Sequence, residues 1–184
     1  NCLKSKNRQI IANRYGKPKE FVYGTDLSNG VFNFLKMCSN LKDEVDVTCS
    51  SKSQFIKDPF VVLNYDNAKS YFCSDDIANS WICFEFKNYL FQPEKYCIKS
   101  SNFSRDSYHP KSWVIEGSND KISWIIIDDV HSCKSLNKPN EFREFTITKC
   151  NKKFKFLRMR LTDVNWNYSN HLAIRFIDFF GKLT

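Results

Sequence analysis

The chain is poor in glycine and proline and has no long apolar run. Its 184 residues include five glycines and five prolines. It contains no phosphate-cradling glycine loop and no G-x-S-x-G nucleophile motif. No apolar segment approaches the roughly 18 to 20 residues that a transmembrane helix needs. The sequence therefore predicts no membrane span and none of the enzyme classes that these motifs mark.

The residues that usually hold metals or carry out catalysis are present but scattered. The three histidines, His109, His131 and His171, form no H-E-x-x-H or other ligand spacing. Asp75-Asp76 and Asp128-Asp129 match no dedicated calcium loop, so solvated turn carboxylates are the favoured interpretation. We expect a protein that is not an enzyme and that carries no metal and no cofactor.

Eight cysteines are spread along the chain without a C-x-x-C pair. They are Cys2, Cys38, Cys49, Cys73, Cys83, Cys97, Cys133 and Cys150. This spacing argues against a zinc or thioredoxin-like site, although an even count permits disulfides. Several of these cysteines fall in apolar strand patterns, where a free cysteine behaves as a small buried side chain. We predict reduced thiols and a cytoplasmic location, with an extracellular location as the alternative.

The net charge of +8 is concentrated near the start of the chain. Six basic residues against Glu20 give the first twenty residues +5 and leave +3 for the rest. Because no basic and aromatic surface can be recognised elsewhere, we expect no nucleic-acid partner. Residues 1–27 are predicted to be a basic leader or docking segment, and residues 28–184 a single domain.

Aromatic residues and strand patterns dominate the predicted domain. The chain has 17 Phe, 8 Tyr and 4 Trp. Val45, Val47 and Cys49 alternate in a half-buried strand, whereas residues 31–41 repeat apolar side chains at helical spacing behind a Ser28 or Asn29 cap. The helix is expected to end near Asn40. Eight strands are predicted at residues 44–51, 81–86, 95–100, 113–116, 124–127, 142–148, 154–162 and 171–180.

Three local features of these strands have expected structural roles. Pro93 is interpreted as a breaker before the 95–100 strand, and residues 117–120 as a turn. The apolar phase slips along residues 154–162, which a bulge and a strand covered on both faces explain equally well. Glu116 lies on a predicted buried strand, so we expect it to pair with an arginine such as Arg158 or Arg160. With no βαβ alternation, the pattern predicts an all-β antiparallel β-sandwich of jelly-roll type with one early α-helix.

The phrase from His109 to Asp120, followed by Trp124 and Asp128, resembles the discoidin or coagulation-factor type C domain family. The ending Phe179-Phe180-Gly181 is similar to the last strand of that family, and the resemblance covers about residues 28 to 183. It implies a galactose-binding-like jelly roll in which Trp113, Trp124 and Phe179 serve folding. The versions in large intracellular protozoan and BTB-associated proteins are the most similar, since no cysteine near the C-terminus is available for the disulfide typical of secreted members.

The candidate ligand site lies on loops. The resemblance implies a rim built from residues 52–80, 102–109 and 163–170, and long loops are often functional. Aromatic faces with amide and imidazole groups suit a sugar and suit a peptide nearly as well. The predicted rim residues are Asn165, Trp166, Asn167, Tyr168, His171, Arg105, His109 and Tyr71. For Trp166, a plug in the core is an equally weighted interpretation.

We therefore predict a non-catalytic binding module. Its rim is expected to recognise a protein or peptide partner within a larger intracellular protein. The alternative is a lectin-like carbohydrate-binding domain at a cell surface. The oligomeric state is not predicted.

Overall fold

A computed structural model describes residues 30–54, 58–65, 70–148 and 150–184, together with the backbone of residues 19–21. It contains ten strands in two five-stranded sheets within these ranges. The strands are β1 Lys19–Phe21, β2 Val45–Cys49, β3 Phe72–Cys73, β4 Trp81–Phe86, β5 Phe91–Ser100, β6 Trp113–Ser118, β7 Ile125–Val130, β8 Phe142–Thr146, β9 Phe156–Leu161 and β10 Ala173–Leu183. Two short helices, α1 Val31–Cys38 and α2 Leu41–Glu44, precede β2, and 3-10 helices span Pro59–Leu63 and Lys134–Leu136.

All strand pairs are antiparallel, as the sequence predicted. Sheet A has the order β1-β10-β5-β8, with β3 also paired to β10, and sheet B has the order β2-β4-β9-β6-β7. The two sheets enclose an aromatic core. Phe32 from α1 lies 5.3 Å from Phe84 and 5.9 Å from Phe179, measured between ring centres, so it contacts both sheets. The predicted β-sandwich is confirmed. The predicted early helix is α1, while α2 is a single turn that was not predicted.

Helix α1 is slightly shorter than predicted. It ends at Cys38, and Gly30 is its N-cap, while Ser28 and Asn29 lie outside the described residues. The cap hydrogen bonds come from far along the chain. Asp178 on β10 accepts from the N–H groups of Phe32 at 3.0 Å and Asn33 at 3.3 Å. A Cβ at Gly30 would lie 2.2 Å from this carboxyl group, which explains the glycine.

The interpretation of Pro93 as a strand breaker is wrong. It lies inside β5, where it pairs with Gly181 of β10 beside a shift in register. Proline is tolerated in a sheet at such irregular positions because a ladder hydrogen bond is already lost there. Gly181 has a φ of +149°, which few other residues adopt, so the irregularity depends on it. Strand β10 consequently continues to Leu183, past the predicted end.

The turn between β6 and β7 begins later in the chain than predicted, because β6 extends to Ser118. Gly117 and Ser118 belong to β6 and not to the turn. Glycine is needed at 117 because a Cβ there would lie 2.6 Å from the ring of Phe154. Trp113 is fully buried, as expected for a folding residue, but Trp124 is only half-buried and lies outside the core, just before β7.

Apolar residues lie on both faces of β9 because both faces of this strand are covered by other side chains. Its pairing with β4 and β6 runs without a register shift, so no bulge is present. Leu157 and Met159 point into the core, while Phe156 faces outward and is still 6% exposed. The ammonium groups of Lys121 and Lys155 lie 4.7 and 5.6 Å from its ring centre. Their aliphatic stems explain how an outward phenylalanine is buried.

Three further expectations concern the leader, the cysteines and the membrane. Lys19–Phe21, within the predicted leader, pairs with β10 at the edge of sheet A. The seven described cysteines are all free thiols, and three of them, Cys73, Cys83 and Cys97, are buried. Within the described ranges, no helix is long and apolar enough to cross a membrane.

Candidate binding rim

Four loops gather at one end of the sandwich and form what we call the rim, residues 70–80, 101–112, 131–141 and 162–172. Strands β5 and β9 end at this side, while β6 and β10 begin there. Antiparallel order therefore brings segments from across the chain to one surface. Of the three loops predicted for the rim, 102–109 and 163–170 lie within it, whereas the 52–80 loop contributes only residues 70–80.

A row of aromatic rings connects three of the rim loops. The ring centres of Tyr71 and Phe103 are 4.9 Å apart, those of Phe103 and Tyr108 are 5.3 Å apart, and those of Tyr108 and His171 are 4.9 Å apart. The predicted residues Tyr71 and His171 are thus at the two ends of one row. Phe103 and Tyr108, which join them, were not among the predicted site residues, although both lie in the predicted 102–109 loop.

Asn165 organises the loop that carries Tyr168. Asn165 is 1% exposed, and its Oδ1 accepts from the N–H groups of Asn167 at 2.9 Å and Ser169 at 3.2 Å. Its Nδ2 donates to the carbonyl of His171 at 3.0 Å. Tyr168 lies at the tip with a φ of +56° and a side chain that is 87% exposed. The structure therefore presents Tyr168 and Asn167 to solvent on a loop that is fixed from below.

Hydrogen bonds fix His171 and its loop against the 70–80 loop. His171 Nδ1 donates to the carbonyl of Ser74 at 2.7 Å, which leaves Nε2 without a bond in the described residues. The backbone and side-chain amides of Asn170 donate to Asp76 Oδ1 at 2.6 and 3.0 Å. These two hydrogen bonds lower the pKa of Asp76 below its ordinary value. The position of the imidazole is therefore set by its neighbours.

His109 is in a different environment from His171. Its side chain has no exposed surface. Its Nε2 lies 3.0 Å from the carbonyl of Ser104 and 3.2 Å from that of Phe103, so Nε2 donates to its own loop. Burial lowers the pKa of His109, against the opposing effect of these hydrogen bonds. A neutral His109 holds the 101–112 loop and offers no atom to a ligand in this conformation.

Trp166 and Arg105 complete the predicted set. Trp166 is half-buried, its Nε1 donates to the carbonyl of Cys133 at 3.3 Å, and the Lys111 ammonium lies 5.6 Å from its ring centre. It therefore wedges between two rim loops, close to the alternative interpretation of a plug. Arg105 is exposed and has no bonding partner within the described ranges. The neighbouring Asp106 is held by Asn137, whose Nδ2 donates to Asp106 Oδ1 at 2.6 Å.

A second polar cluster lies away from the rim, on the outer face of sheet B. Glu116 accepts from Arg158 Nε at 2.8 Å and from Arg160 Nη2 at 2.8 Å, so it pairs with both predicted arginines. The guanidinium carbon of Arg158 lies 3.8 Å from the ring centre of Trp124 and 5.7 Å from that of Trp81. Glu116 thus joins the two arginines, Arg158 also contacts both tryptophans, and we assign the cluster a structural role.

The acidic pairs considered for calcium are used in other contacts. Asp76 binds Asn170, as described above, and Asp128 accepts from the Tyr96 hydroxyl at 2.6 Å. Over the described ranges, no group of three or more histidine, cysteine or acidic residues is placed to hold a metal ion.

Two five-stranded antiparallel sheets with loops gathered at one end form a β-sandwich of jelly-roll type. No protein-family model and no curated protein sequence matches the chain. Solved structures do match it. The family 32 module of NanJ from Clostridium perfringens, solved with galactose, has a TM-score of 0.58 at 7% identity, with 76% of this chain and 95% of that chain covered.

Two further structures of the same class are similar. A family 32 module of a family 89 glycoside hydrolase from Clostridium perfringens, solved with GalNAc-β-1,3-galactose, has a TM-score of 0.59 at 7% identity and covers 74% and 95% of the two chains. A chitosan-binding module of a chitosanase/glucanase from Paenibacillus has a TM-score of 0.55 at 14% identity and covers 74% and 93%. At these identities the likeness shows the fold, and it confirms the jelly roll predicted from the sequence.

Proposed function

We propose that the chain is a non-catalytic carbohydrate-binding module that holds a glycan at its rim. The similar structures are modules solved with, or named for, galactose, GalNAc-β-1,3-galactose and chitosan. These likenesses favour the sugar over the protein or peptide partner that we expected first from the sequence. They also favour a binding module over an enzyme.

The observation that carries the proposal is an exposed tyrosine on the same loop as His171, which ends a fixed row of aromatic rings. Tyr168 is 87% exposed on a loop that Asn165 holds in place. A sugar ring presents C–H groups on its face, and an aromatic ring that is already ordered binds such a face at low entropic cost. His171 ends the aromatic row on the same loop, and its free Nε2 is suited to a sugar hydroxyl.

The other predicted residues divide into contact and support roles in this proposal. Arg105 and Asn167 are exposed and carry donors for sugar hydroxyls, and Tyr71 forms the far wall of the row. Trp166, His109 and Asn165 are engaged within the protein and are assigned a positioning role. A site of this kind binds through stacking and a few directed hydrogen bonds.

The test is a glycan array followed by calorimetric titration of the best ligand. Tyr168→Ala is expected to weaken binding at least tenfold because the stacking surface is lost. The matched control is Tyr89→Ala, which removes a half-buried tyrosine from the turn between β4 and β5, at the end of the sandwich opposite the rim. Equal affinities for wild type and Tyr168→Ala would contradict the proposed site, and a silent array with capture of a defined peptide would favour the peptide partner.

The cellular location is a separate question that the thiols can answer. Seven free cysteines agree with the predicted cell interior, whereas a glycan ligand is more common outside the cell. Alkylation of the folded and denatured protein, followed by mass spectrometry, counts the free thiols. A full set of free thiols keeps the intracellular prediction, and paired cysteines would replace it with the extracellular alternative.

A further inference from the structure

A pocket lies on the side of the sandwich, away from the rim. Its volume is about 420 Å³, within the range of small-molecule sites. It is lined by the end of α1, by α2 and by the 3-10 helix Pro59–Leu63. None of its lining residues belongs to the rim loops. Its lining includes Lys36, Leu41, Lys42, Asp58, Phe60 and Leu63.

The floor of the pocket is apolar and the entrance is charged. Leu41 and Leu63 are 7% and 3% exposed, while Phe60 is half-buried in the wall. These side chains are ordered by the local fold, since Asp58 caps the 3-10 helix by accepting from the N–H of Phe60 at 2.9 Å. An apolar body in the pocket would therefore be in contact with carbon on at least two sides.

One of the two cations at the entrance is neutralised and the other is not. Lys42 Nζ lies 2.8 Å from Asp58 Oδ2 and 5.1 Å from the ring centre of Phe60. Lys36 Nζ donates to Asn64 Oδ1 at 3.0 Å, and no carboxylate pairs with it in the described ranges. The entrance thus carries about one unpaired positive charge, that of Lys36. The neutral side-chain amide of Asn64 holds this ammonium group next to the apolar floor.

The backbone around the pocket opposes an anion only in part. Helix α1 ends beside it, and the end of a helix carries partial negative charge on its free carbonyls. Ser39 removes part of this effect, because its N–H and its hydroxyl both donate to the carbonyl of Leu35, at 3.0 and 3.2 Å. Lys36 lies in the same last turn and adds a compensating positive charge.

We propose that this pocket is a second ligand site, for a monoanionic amphiphile with a compact apolar body, such as an aryl or alkyl carboxylate or sulfonate. The head group pairs with Lys36, and the apolar body covers Leu41, Leu63 and the ring of Phe60. The site is independent of the rim and of the glycan proposed there. A rim ligand should therefore leave its occupancy unchanged.

The probe for this site is 8-anilinonaphthalene-1-sulfonate, whose fluorescence rises in apolar surroundings. The folded protein is expected to bind one equivalent with saturation, and octanoate should displace it whereas octanol should not. Lys36→Glu is expected to weaken binding at least tenfold. The matched control is Lys152→Glu, which makes the same change of charge at an exposed lysine outside the pocket. Circular dichroism checks that both variants are folded.

Methyl NMR of the wild-type protein keeps the test independent of any variant. The methyl signals of Leu41 and Leu63 should shift on addition of the probe, while those of Leu172 at the rim should not. Absence of saturable binding, equal loss in the two lysine variants, or shifts confined to the rim would each overturn the second site. Competition by a sugar would likewise contradict its independence from the rim.

Discussion

Sheet A and sheet B each bury one carboxyl group, and the two groups are stabilised in different ways. Glu116 in sheet B is 4% exposed and meets two guanidinium groups, at 2.7 Å from Arg158 and 2.8 Å from Arg160. Asp178 in sheet A is fully buried and meets the backbone N–H groups of Phe32, Asn33 and Phe179. The partners of Glu116 are thus fully charged groups, whereas the partners of Asp178 are backbone dipoles.

The pKa values of the two groups move in opposite directions. Burial raises the pKa of Glu116, but the hydrogen bonds and charges of Arg160 and Arg158 outweigh burial, so the pKa falls below its ordinary value. Burial also raises the pKa of Asp178, and its three backbone hydrogen bonds oppose this only in part, so the pKa rises to about 7. Of these two buried carboxyl groups, the one with arginine partners therefore has its charged form favoured, and the one with only backbone partners does not.

The largest expected effect comes from removing the charge of Glu116. Glu116→Gln leaves two guanidinium groups without a counter-charge on a face where their side chains are only 16% and 22% exposed. Breaking a largely buried pair in this way typically costs about 3 kcal/mol or more of unfolding free energy. Urea unfolding measures the loss.

The control for Glu116→Gln is an exposed pair of sheet A. Glu144 lies 3.2 Å from Lys95, and the two side chains are 31% and 37% exposed. Glu144→Gln is expected to change the unfolding free energy by less than about 1 kcal/mol, because water screens such pairs. Similar losses of unfolding free energy in both variants would show that the buried arginine cluster stabilises the fold no more than an exposed ion pair does.

The second effect tests the contact between Gly30 and Asp178. Gly30→Ala places a Cβ 2.2 Å from the carboxyl carbon of Asp178 and displaces the cap of α1. A loss of about 2 kcal/mol is expected from this overpacking. In an Asp178→Gly background the same alanine should cost much less, and the difference in a double-mutant cycle measures the coupling. Additive losses would mean that the carboxyl group does not contact this position.

The third prediction concerns pH. The ordinary pKa of an aspartate is 3.8 and that of Asp178 in the folded protein is about 7, so between these values the folded state binds more protons than the unfolded state. The unfolding free energy contributed by Asp178 is therefore complete below about pH 4 and is lost as the pH rises toward 7. Between pH 5 and 7 the wild type should lose about 1 to 2 kcal/mol more than Asp178→Asn.

Urea unfolding across this range, for both proteins, checks the sign. The wild type is compared with Asp178→Asn because His109 also titrates in this range. Burial lowers the pKa of His109, so its contribution to the unfolding free energy falls as the pH decreases below its ordinary 6.5, and this change is common to both proteins. Cys97, which pairs with Asp178 in the sheet, does not titrate in this window because burial raises its pKa. Parallel curves for wild type and Asp178→Asn would contradict the shifted pKa.

The smallest expected effect separates packing from charge in sheet B. Trp124→Leu keeps an apolar side chain but removes the ring that lies 3.8 Å from the guanidinium carbon of Arg158. The expected loss is about 0.5 to 1 kcal/mol for a partly exposed cation–π contact. The control is Trp81→Leu, where the corresponding distance is 5.7 Å and a smaller cation–π loss is expected. Thermal unfolding resolves the two, and an equal loss would show that the stacking distance is unimportant.

The same two sheets show what sequence patterns can and cannot predict. The alternation of Val45 and Val47 followed from local periodicity, whereas the folding role of Trp113 followed from the family resemblance. The arginine partners of Glu116 followed from the need to pair a charge on a buried strand. The cap of α1 did not, because its acceptor lies 146 residues away and no local pattern connects Asp178 to Phe32. Pro93 was misinterpreted for a similar reason, since the irregularity that accommodates it lies on the neighbouring strand.

The rim was predictable as loops but not as a surface. Asn167 and Tyr168 are exposed on the predicted segment, which turn-forming residues around them indicated. His109 and His171 are equivalent as residues in polar loops, yet one is fully buried and the other is not. Which carbonyls surround an imidazole depends on how the loops fold together, so the sequence alone cannot distinguish a support residue from a contact residue.

The cap on α1 also has a consequence for how the protein is made. Phe32 and Asn33 emerge from the ribosome long before Asp178, which follows about 146 residues later. Because β10 pairs with β1, β3 and β5, sheet A also lacks the strand that joins it until this late segment appears. The cap of α1 and sheet A can therefore be completed only after β10 has been synthesised, whereas sheet B contains no part of this late strand.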